Sequence, residues 1–197
     1  MGDGSTTNSV SPKLISIGDG RTVQQITLGQ HHTCALLDDA SVICWGQNDV
    51  GQLGDSTSVD KHTPTLITVD DNTRNVTTIL TLWKHTCAIL DDGTLKCWGA
   101  NSHGQVGDGT TTNRHSPVVI IVGDERSSIQ VATEASHTCS LLDYGVVKCW
   151  GRGSEGQLGN GQNVDIINPT LNDLNIDGKR IVTQLEVGYN HSCVVLE

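Results

Sequence analysis

Six of the seven cysteines in this chain stand in pairs ten residues apart: Cys34/Cys44, Cys87/Cys97 and Cys139/Cys149. Each pair frames the same phrase: His-Thr-Cys, an apolar run, an acidic turn, then Cys-Trp-Gly. The seventh, Cys193, follows His191-Ser192 and opens a fourth copy that has no second cysteine. Self-similarity at a fixed period means one supersecondary unit per repeat, so this spacing constrains the fold more than any local propensity does.

The leading cysteines recur at intervals of 53, 52 and 54 residues. Ten residues separate Cys44, Cys97 and Cys149 from Gly54, Gly107 and Gly159, and ten more lead to Pro64, Pro117 and Pro169. All length variation falls between each proline and the next leading cysteine. The N-terminus keeps the same phase: Gly2-Asp3-Gly4 matches Gly107-Asp108-Gly109, and Pro12 lies ten after Gly2. The expected organisation is one repeat domain over 1–197, with units at about 2–53, 54–106, 107–158 and an incomplete 159–197. The unfinished last unit suggests a segment of a longer protein.

Within a unit, the run from Cys87 to Cys97 folds symmetrically about Asp92. Cys87 then faces Cys97, Ile89 faces Leu95, and Asp91-Asp92-Gly93 forms a three-residue turn whose last position suits a left-handed glycine. Ala40 takes that position in the first unit and is expected to carry mild strain. Opposed residues of an antiparallel pair sit about 4.5–5.5 Å apart at Cα, within the reach of a disulfide. Further apolar runs at Val23–Leu28, Val76–Leu82, Ile129–Ala132 and Ile181–Val187 precede the cysteines. Others at Leu14–Ile17, Thr65–Val69 and Val118–Val122 follow the prolines. About four short strands per unit of some fifty residues indicate an all-β propeller architecture. Both sheet faces should then be apolar, with Ile89 and Leu95 on one and Ala88 and Leu90 on the other.

The phrase His32-Thr33-Cys34-Ala35-Leu36-Leu37, followed by Cys44-Trp45-Gly46 and Gly51-Gln52-Leu53-Gly54-Asp55, resembles the repeat of the regulator of chromosome condensation (RCC1) family in its cysteine-containing form. The likeness spans nearly the whole chain. It implies β-propeller blades, about four here with the last incomplete, forming an open arc or part of a larger, usually seven-bladed, propeller.

Paired cysteines at hairpin spacing favour disulfides, and hence an extracellular or cell-surface location, over reduced thiols or zinc, for which the C-x-x-C spacing is missing. Cys193 is expected to be unpaired or to form an intermolecular bond. Asn75 and Asn190 begin glycosylation sequons; Asn75 lies in a variable-length segment, whereas Asn190, beside His-Ser-Cys, is expected to be enclosed. The net charge of −10 argues against nucleic acid, and no run approaches the ~20 apolar residues of a membrane span.

His32, His85, His137 and His191 recur once per unit. They are read as hydrogen-bonding members of each blade, too far apart to share a metal, and no cofactor is expected. Trp45, Trp98 and Trp150 are read as core between blades. Trp83-Lys84-His85-Thr86 resembles the tryptophan motif of the family's plant UV-B receptor but occurs once, where that receptor needs a cluster. The Gly-Asp-Gly-Thr loops are explained by turn chemistry, with calcium as the alternative. No catalytic arrangement stands apart from the repeat.

The function these features imply is a non-enzymatic extracellular scaffold or interaction module. Its partners would be another protein, glycans or further copies of itself; unpaired edge strands would favour assembly, even into a filament. A secreted inhibitor or lectin-like binder is the alternative, and a guanine-nucleotide exchange factor is opposed by the acidic charge and the disulfides.

Overall fold

The computed structural model describes residues 2–18, 20–71, 73–123, 126–169 and 181–197. It is built from antiparallel sheets in chain order, with a 3-10 turn at Asp143–Gly145 and no α-helix among the described residues. The first sheet holds β1 (Val23–Leu28), β2 (His32–Leu37), β3 (Val42–Gly46) and β4 (Lys61–Ile67), each beside the next. The second repeats that order with β5 (Val76–Leu82), β6 (His85–Leu90), β7 (Leu95–Gly99) and β8 (Arg114–Ile120). The third has β9 (Ser128–Glu134), β10 (His137–Leu142) and β11 (Val147–Gly151), and the place of its fourth strand is marked by a bridge between Gly151 and Ile166. The last pairs β12 (Val182–Gly188) with β13 (His191–Leu196).

The central hairpins have the register implied by the symmetric spacing: Cys34 faces Cys44, Cys87 faces Cys97 and Cys139 faces Cys149. The turn bond from Leu37 N–H to Ser41 O fixes the alternation and puts the cysteines at non-hydrogen-bonded sites, where strands approach most closely. All three pairs are disulfides, with Cα–Cα distances of 4.1, 4.1 and 4.0 Å, a little below the expected span. Ala40 (φ 64°) and Gly93 (φ 80°) take the left-handed turn position. In the third unit both Tyr144 (φ 60°) and Gly145 (φ 75°) are left-handed.

Two expectations need correction. The sheets cross the sequence-unit boundaries, because β4 and β8 follow Gly54 and Gly107 yet complete the sheets that began before them. Each such strand contains its unit's proline, at an edge and beside a register shift, where a missing N–H does no harm. The same rule explains why Leu14–Ile17 is not a strand. Its counterparts pair with a preceding Cys-Trp-Gly strand, and no such strand stands beside it among the described residues. Residues 170–180, in the last variable-length segment, lie outside the described residues.

Apolar side chains alternate between the faces of each sheet and fill the spaces between successive sheets. Ala88, Leu90 and Trp98 of the second sheet meet Cys34, Leu36, Val42 and Ile67 of the first. Cys87, Ile89, Leu95 and Cys97 on its other face meet Val131, Leu142 and Trp150 of the third. A third core joins Cys139, Leu141 and Val147 to Val182 and Leu185. Among the described residues no helix is long and apolar enough to cross a membrane.

Candidate interaction surfaces

Because strands alternate in direction, each sheet has two ends of different chemistry. One carries the β1–β2, β5–β6, β9–β10 and β12–β13 turns and the long loops after Cys-Trp-Gly. The other carries the acidic hairpin turns and the segments that lead into β5 and β9.

At the first end the repeated polar residues are used between sheets. Thr86 Oγ1 donates to Gln52 O at 2.8 Å, so its single proton is committed. It must therefore accept from His32 Nε2–H, 3.1 Å away. The relay recurs with His85, Thr138 and Gln105 O (2.9 and 2.8 Å), and again with His137, Ser192 and Gln157 O (3.2 and 2.8 Å). Each histidine thus reaches the next sheet rather than bonding within its own, which corrects the reading from the sequence. The tautomer leaves Nδ1 bare, and in all three rings that atom is buried with no partner. Burial, with a smaller contribution from neighbouring histidines, pushes the imidazoles down to about 4 for His32, about 3 for His85 and about 4 for His137. They are neutral structural donors at physiological pH.

The tryptophans lock into the same carbonyls. Trp98 Nε1–H donates to Gln52 O at 3.1 Å and Trp150 Nε1–H to Gln105 O at 3.0 Å; both side chains are fully buried. Their indoles lie on Gly54 and Gly107, and Trp45 lies on Gly2. A Cβ at Gly54 would come 2.6 Å from Trp98 Nε1, so Gly54 and Gly107, ten residues after Cys44 and Cys97, are seats for the next sheet's tryptophan.

The loop that presents this seat is tied by Asn48 in one unit and Asn101 in the next. Asn48 Oδ1 accepts from Leu53 N–H, while its Nδ2 donates to Asp55 and to the Thr57 carbonyl. Asn101 makes the corresponding bonds to Val106, Asp108 and Thr110. Asp108 also takes Thr110 and Arg114, so its oxygens are engaged in turn chemistry. No group of three ligating side chains occurs among the described residues. Gly153 stands where these asparagines stand, and the repeat is broken there: an added Cβ would run into Val164 O. The four-residue spacing after Cys44 and Cys97 was the signal for the asparagines, and its failure after Cys149 was the signal for the break.

The opposite end is charged. Asp38, Asp39, Asp70, Asp71, Asp91, Asp92 and Asp143 gather there with Arg21, Arg74, Arg126 and Lys96 among the described residues. Arg21 meets Asp38 and Asp39, Arg74 meets Asp70 and Asp92, and Arg126 meets Asp143 while stacking over Tyr144 at 5.2 Å. The hydrogen bond from Arg74 holds Asp92 down to about 2. Asp70, bonded first by the nearly buried Lys96, is held far below the usual carboxylate range. These arginines recur at 53 and 52 residues, a period visible in the sequence but not read there.

The remaining sequence candidates lie apart from one another. Asn75 is exposed at the charged end, its backbone paired with Asp91. Asn190, expected to be enclosed, is exposed in the β12–β13 turn. Cys193 is a free, exposed thiol. Trp83 is partly exposed at the first end, in the β5–β6 turn, edge-on to Tyr189 with ring centres 6.3 Å apart.

Two models of the regulator of chromosome condensation (RCC1) repeat match the chain, one over residues 39–89 and 144–195, the other over 23–52 and 83–105. The chain is 31% identical over 179 residues to the ultraviolet-B receptor UVR8 of Arabidopsis thaliana, covering 90% of this chain and 40% of that protein. Among solved structures it resembles Prp20p of Saccharomyces cerevisiae, described with its binding to Gsp1p and histones (TM-score 0.76, 21% identity, 87% of this chain and 43% of that one). It also resembles the ectodomain of the receptor kinase CR4 of Physcomitrella patens (TM-score 0.57, 17% identity, 96% and 42%). The chain spans less than half the length of each.

Proposed function

The chain belongs to the RCC1 repeat family, and from that premise we propose that it is a non-enzymatic protein-interaction module whose disulfide-stapled sheets hold a partner surface outside the reducing cytosol. The observation that carries this reading is how the repeated polar side chains are used. His32, Thr86, Gln52, Asn48 and Trp98, with their counterparts where the repeat keeps them, are spent on bonds within and between units. What is left for a partner is the exposed surface at the ends of the sheets, above all the acidic rim, where seven aspartates outnumber three arginines and the nearly buried Lys96 among the described residues. Such a rim suits a basic protein surface, because complementary potential steers encounter and sets specificity. The three disulfides favour an oxidising compartment. Exposure of Asn75 is compatible with glycosylation there.

The test is capture of a partner by the protein and by a rim variant, Asp38→Lys with Asp71→Lys, at matched melting temperature. Loss of capture, with stronger salt dependence in the parent, is the expected result. Capture that survives this variant but fails in Trp83→Ala would overturn the rim reading. The Trp83–Tyr189 pair favours a second reading, a lectin-like binder that stacks a sugar on exposed rings. A glycan array, read with Trp83→Ala as control, separates the two.

A further inference from the structure

β1, β5, β9 and β12 each form one edge of their sheet. Side chains from the preceding sheet close that edge at particular rungs. Gln25 Oε1 accepts from Ile79 N–H at 3.0 Å. Gln130 makes the fuller contact: its Oε1 accepts from Leu185 N–H at 3.1 Å, and its Nε2 donates to Leu185 O at 2.7 Å. Further along β5, Thr27 Oγ1 accepts from Thr81 N–H at 2.9 Å. These clasps cross the seam between the first and second sheets and the seam between the third and fourth.

The seam between the second and third sheets lacks them. Thr78 faces Ile89 as Gln25 faces Leu36 and Gln130 faces Leu141, so a threonine stands in the glutamine's place. Leu80 faces Cys87 as Thr27 faces Cys34, so a leucine stands in the place of that threonine. The backbone groups left over are on β9. Val131 faces Ser140 as Ile79 faces Ala88 and Leu185 faces Val194, and the alternation of ladder bonds turns its N–H and C=O to the free edge. Threonine is shorter and has no amide, and no side chain among the described residues clasps Val131. Thr133, the counterpart of Thr81, is fully buried, and its Oγ1 has no partner.

A cavity of about 370 Å³ opens at this seam, lined by Thr78, Ile89, Asp91, Asp92, Ser127 and Ile129. Ile129 precedes Val131 on β9 with only Gln130 between them, so the cavity leads toward the open edge. Its mouth is on the acidic rim. Asp143 N–H donates to Ser127 O, which sets a further acidic residue beside it. Arg74 answers Asp92 and Arg126 answers Asp143, but Asp91 meets no cation among the described residues.

We propose that this seam is a receptor for one carboxamide side chain, a glutamine on a lysine-flanked extended segment of the partner. The seated glutamine copies Gln130: its Oε1 accepts from Val131 N–H and its Nε2 donates to Val131 O. A carboxylate has no donor for the carbonyl and an ammonium has no acceptor for the N–H, so the two-point contact selects the amide. A site built for hydrogen bonds rejects ligands that leave its buried groups unpaired. The flanking lysines answer Asp91 and the rim. The inference rests on the reading of the chain as an interaction module and deepens it. It uses neither Asp38 nor Asp71, so its failure and that of the rim test are read separately.

The probe is the fluorescein-labelled peptide Gly-Lys-Gln-Lys-Gly, with the glutamine replaced by methionine or by glutamate in two controls. The full chain is titrated at constant ionic strength and followed by fluorescence anisotropy. The glutamine peptide should bind roughly tenfold or more tighter than either control, the cost of leaving a buried donor–acceptor pair unmet. In nuclear magnetic resonance spectra the Val131 amide proton should move downfield with the glutamine peptide alone. Thr78→Gln installs the repeat's own clasp, so it should hold or raise the denaturation midpoint and erase the preference for glutamine. Asp38→Lys with Asp71→Lys should weaken all three peptides through charge and keep that preference. Equal binding of the glutamine and methionine peptides by the parent would reduce the seam to general charge attraction and overturn the proposal. So would no binding of the glutamine peptide, or a preference that survives in Thr78→Gln.

Discussion

Lowering the pH should unlock the sheets from one another before it affects most of the carboxylates. The imidazolium form of His32, His85 and His137 is disfavoured only in the folded state, where burial dominates and His31, the neighbouring relay histidines and His191 add repulsion. The ordinary value of 6.5 applies to the unfolded chain, which therefore binds more protons below that pH. Stability from this source is complete above 6.5 and is lost progressively as pH falls toward about 4. At pH 5 each histidine costs about 2 kcal/mol, or about 6 kcal/mol for the three, against the 5–15 kcal/mol total of an ordinary domain. Asp92, held at about 2, has an ordinary value of 3.8 and contributes its loss only below that range. Urea unfolding, followed by tryptophan fluorescence with the disulfides intact at pH 7.5, 6 and 5, gives the slope. The decisive variant is His85→Gln, whose amide can still donate to Thr138 Oγ1 but cannot titrate. Its stability loss between pH 7.5 and 5 should be smaller than the parent's by about 2 kcal/mol. A variant whose pH profile overlays the parent's would refute the claim that this buried relay carries the dependence.

Gly54→Ala should destabilise the fold by about 2–4 kcal/mol, since the new Cβ meets the Trp98 indole at 2.6 Å and φ is +83°; chemical denaturation measures it, and a loss below 1 kcal/mol would remove the seat argument. Ala40→Gly should stabilise by up to about 1 kcal/mol by relieving the left-handed position, read as a raised denaturation midpoint. Reducing the three disulfides should cost slightly under ~3 kcal/mol per closed loop on the chain-entropy account, so a midpoint unchanged by dithiothreitol would remove both the stabilising role and the case for an oxidising location.

The hairpins were legible because their information is local. An odd spacing between two cysteines, with an acidic turn at its centre, leaves one symmetric register, and the left-handed position after Asp39 or Asp92 follows from it. The burial of both faces was legible for the same reason, since period-two alternation assigns Ala88 and Ile89 to opposite sides. Pairing across units was not. Nothing in Leu14–Ile17 says that its partner strand must come earlier in the chain, and nothing in Lys61–Ile67 says that it closes the sheet before it. The histidines show the same limit: their period was plain, but the acceptor sits 54, 53 and 55 residues away on the next sheet. Side-chain chemistry was read correctly as structural, while its direction came from three-dimensional adjacency.

That direction has a consequence for how the molecule tolerates change. Gln52 O lies in the loop after β3, yet its two donors, Thr86 and Trp98, belong to the second sheet. A lost tryptophan therefore leaves a buried carbonyl short of a donor and opens a cavity in a different unit from the one mutated. Damage at a core position is shared between neighbours and reaches no further, as expected of a stack of repeats held by nearest-neighbour contacts. The acidic rim follows the opposite rule. Arg74 answers to Asp92 in a partly exposed pair, where a charge change costs little, whereas Asp70, its other partner, is buried against Lys96. Selection for a new partner can thus rewrite the exposed carboxylates of the rim more freely than the buried ones. The relay of histidine, hydroxyl and carbonyl must keep its period, because changing one member withdraws a bond from the sheet beside it.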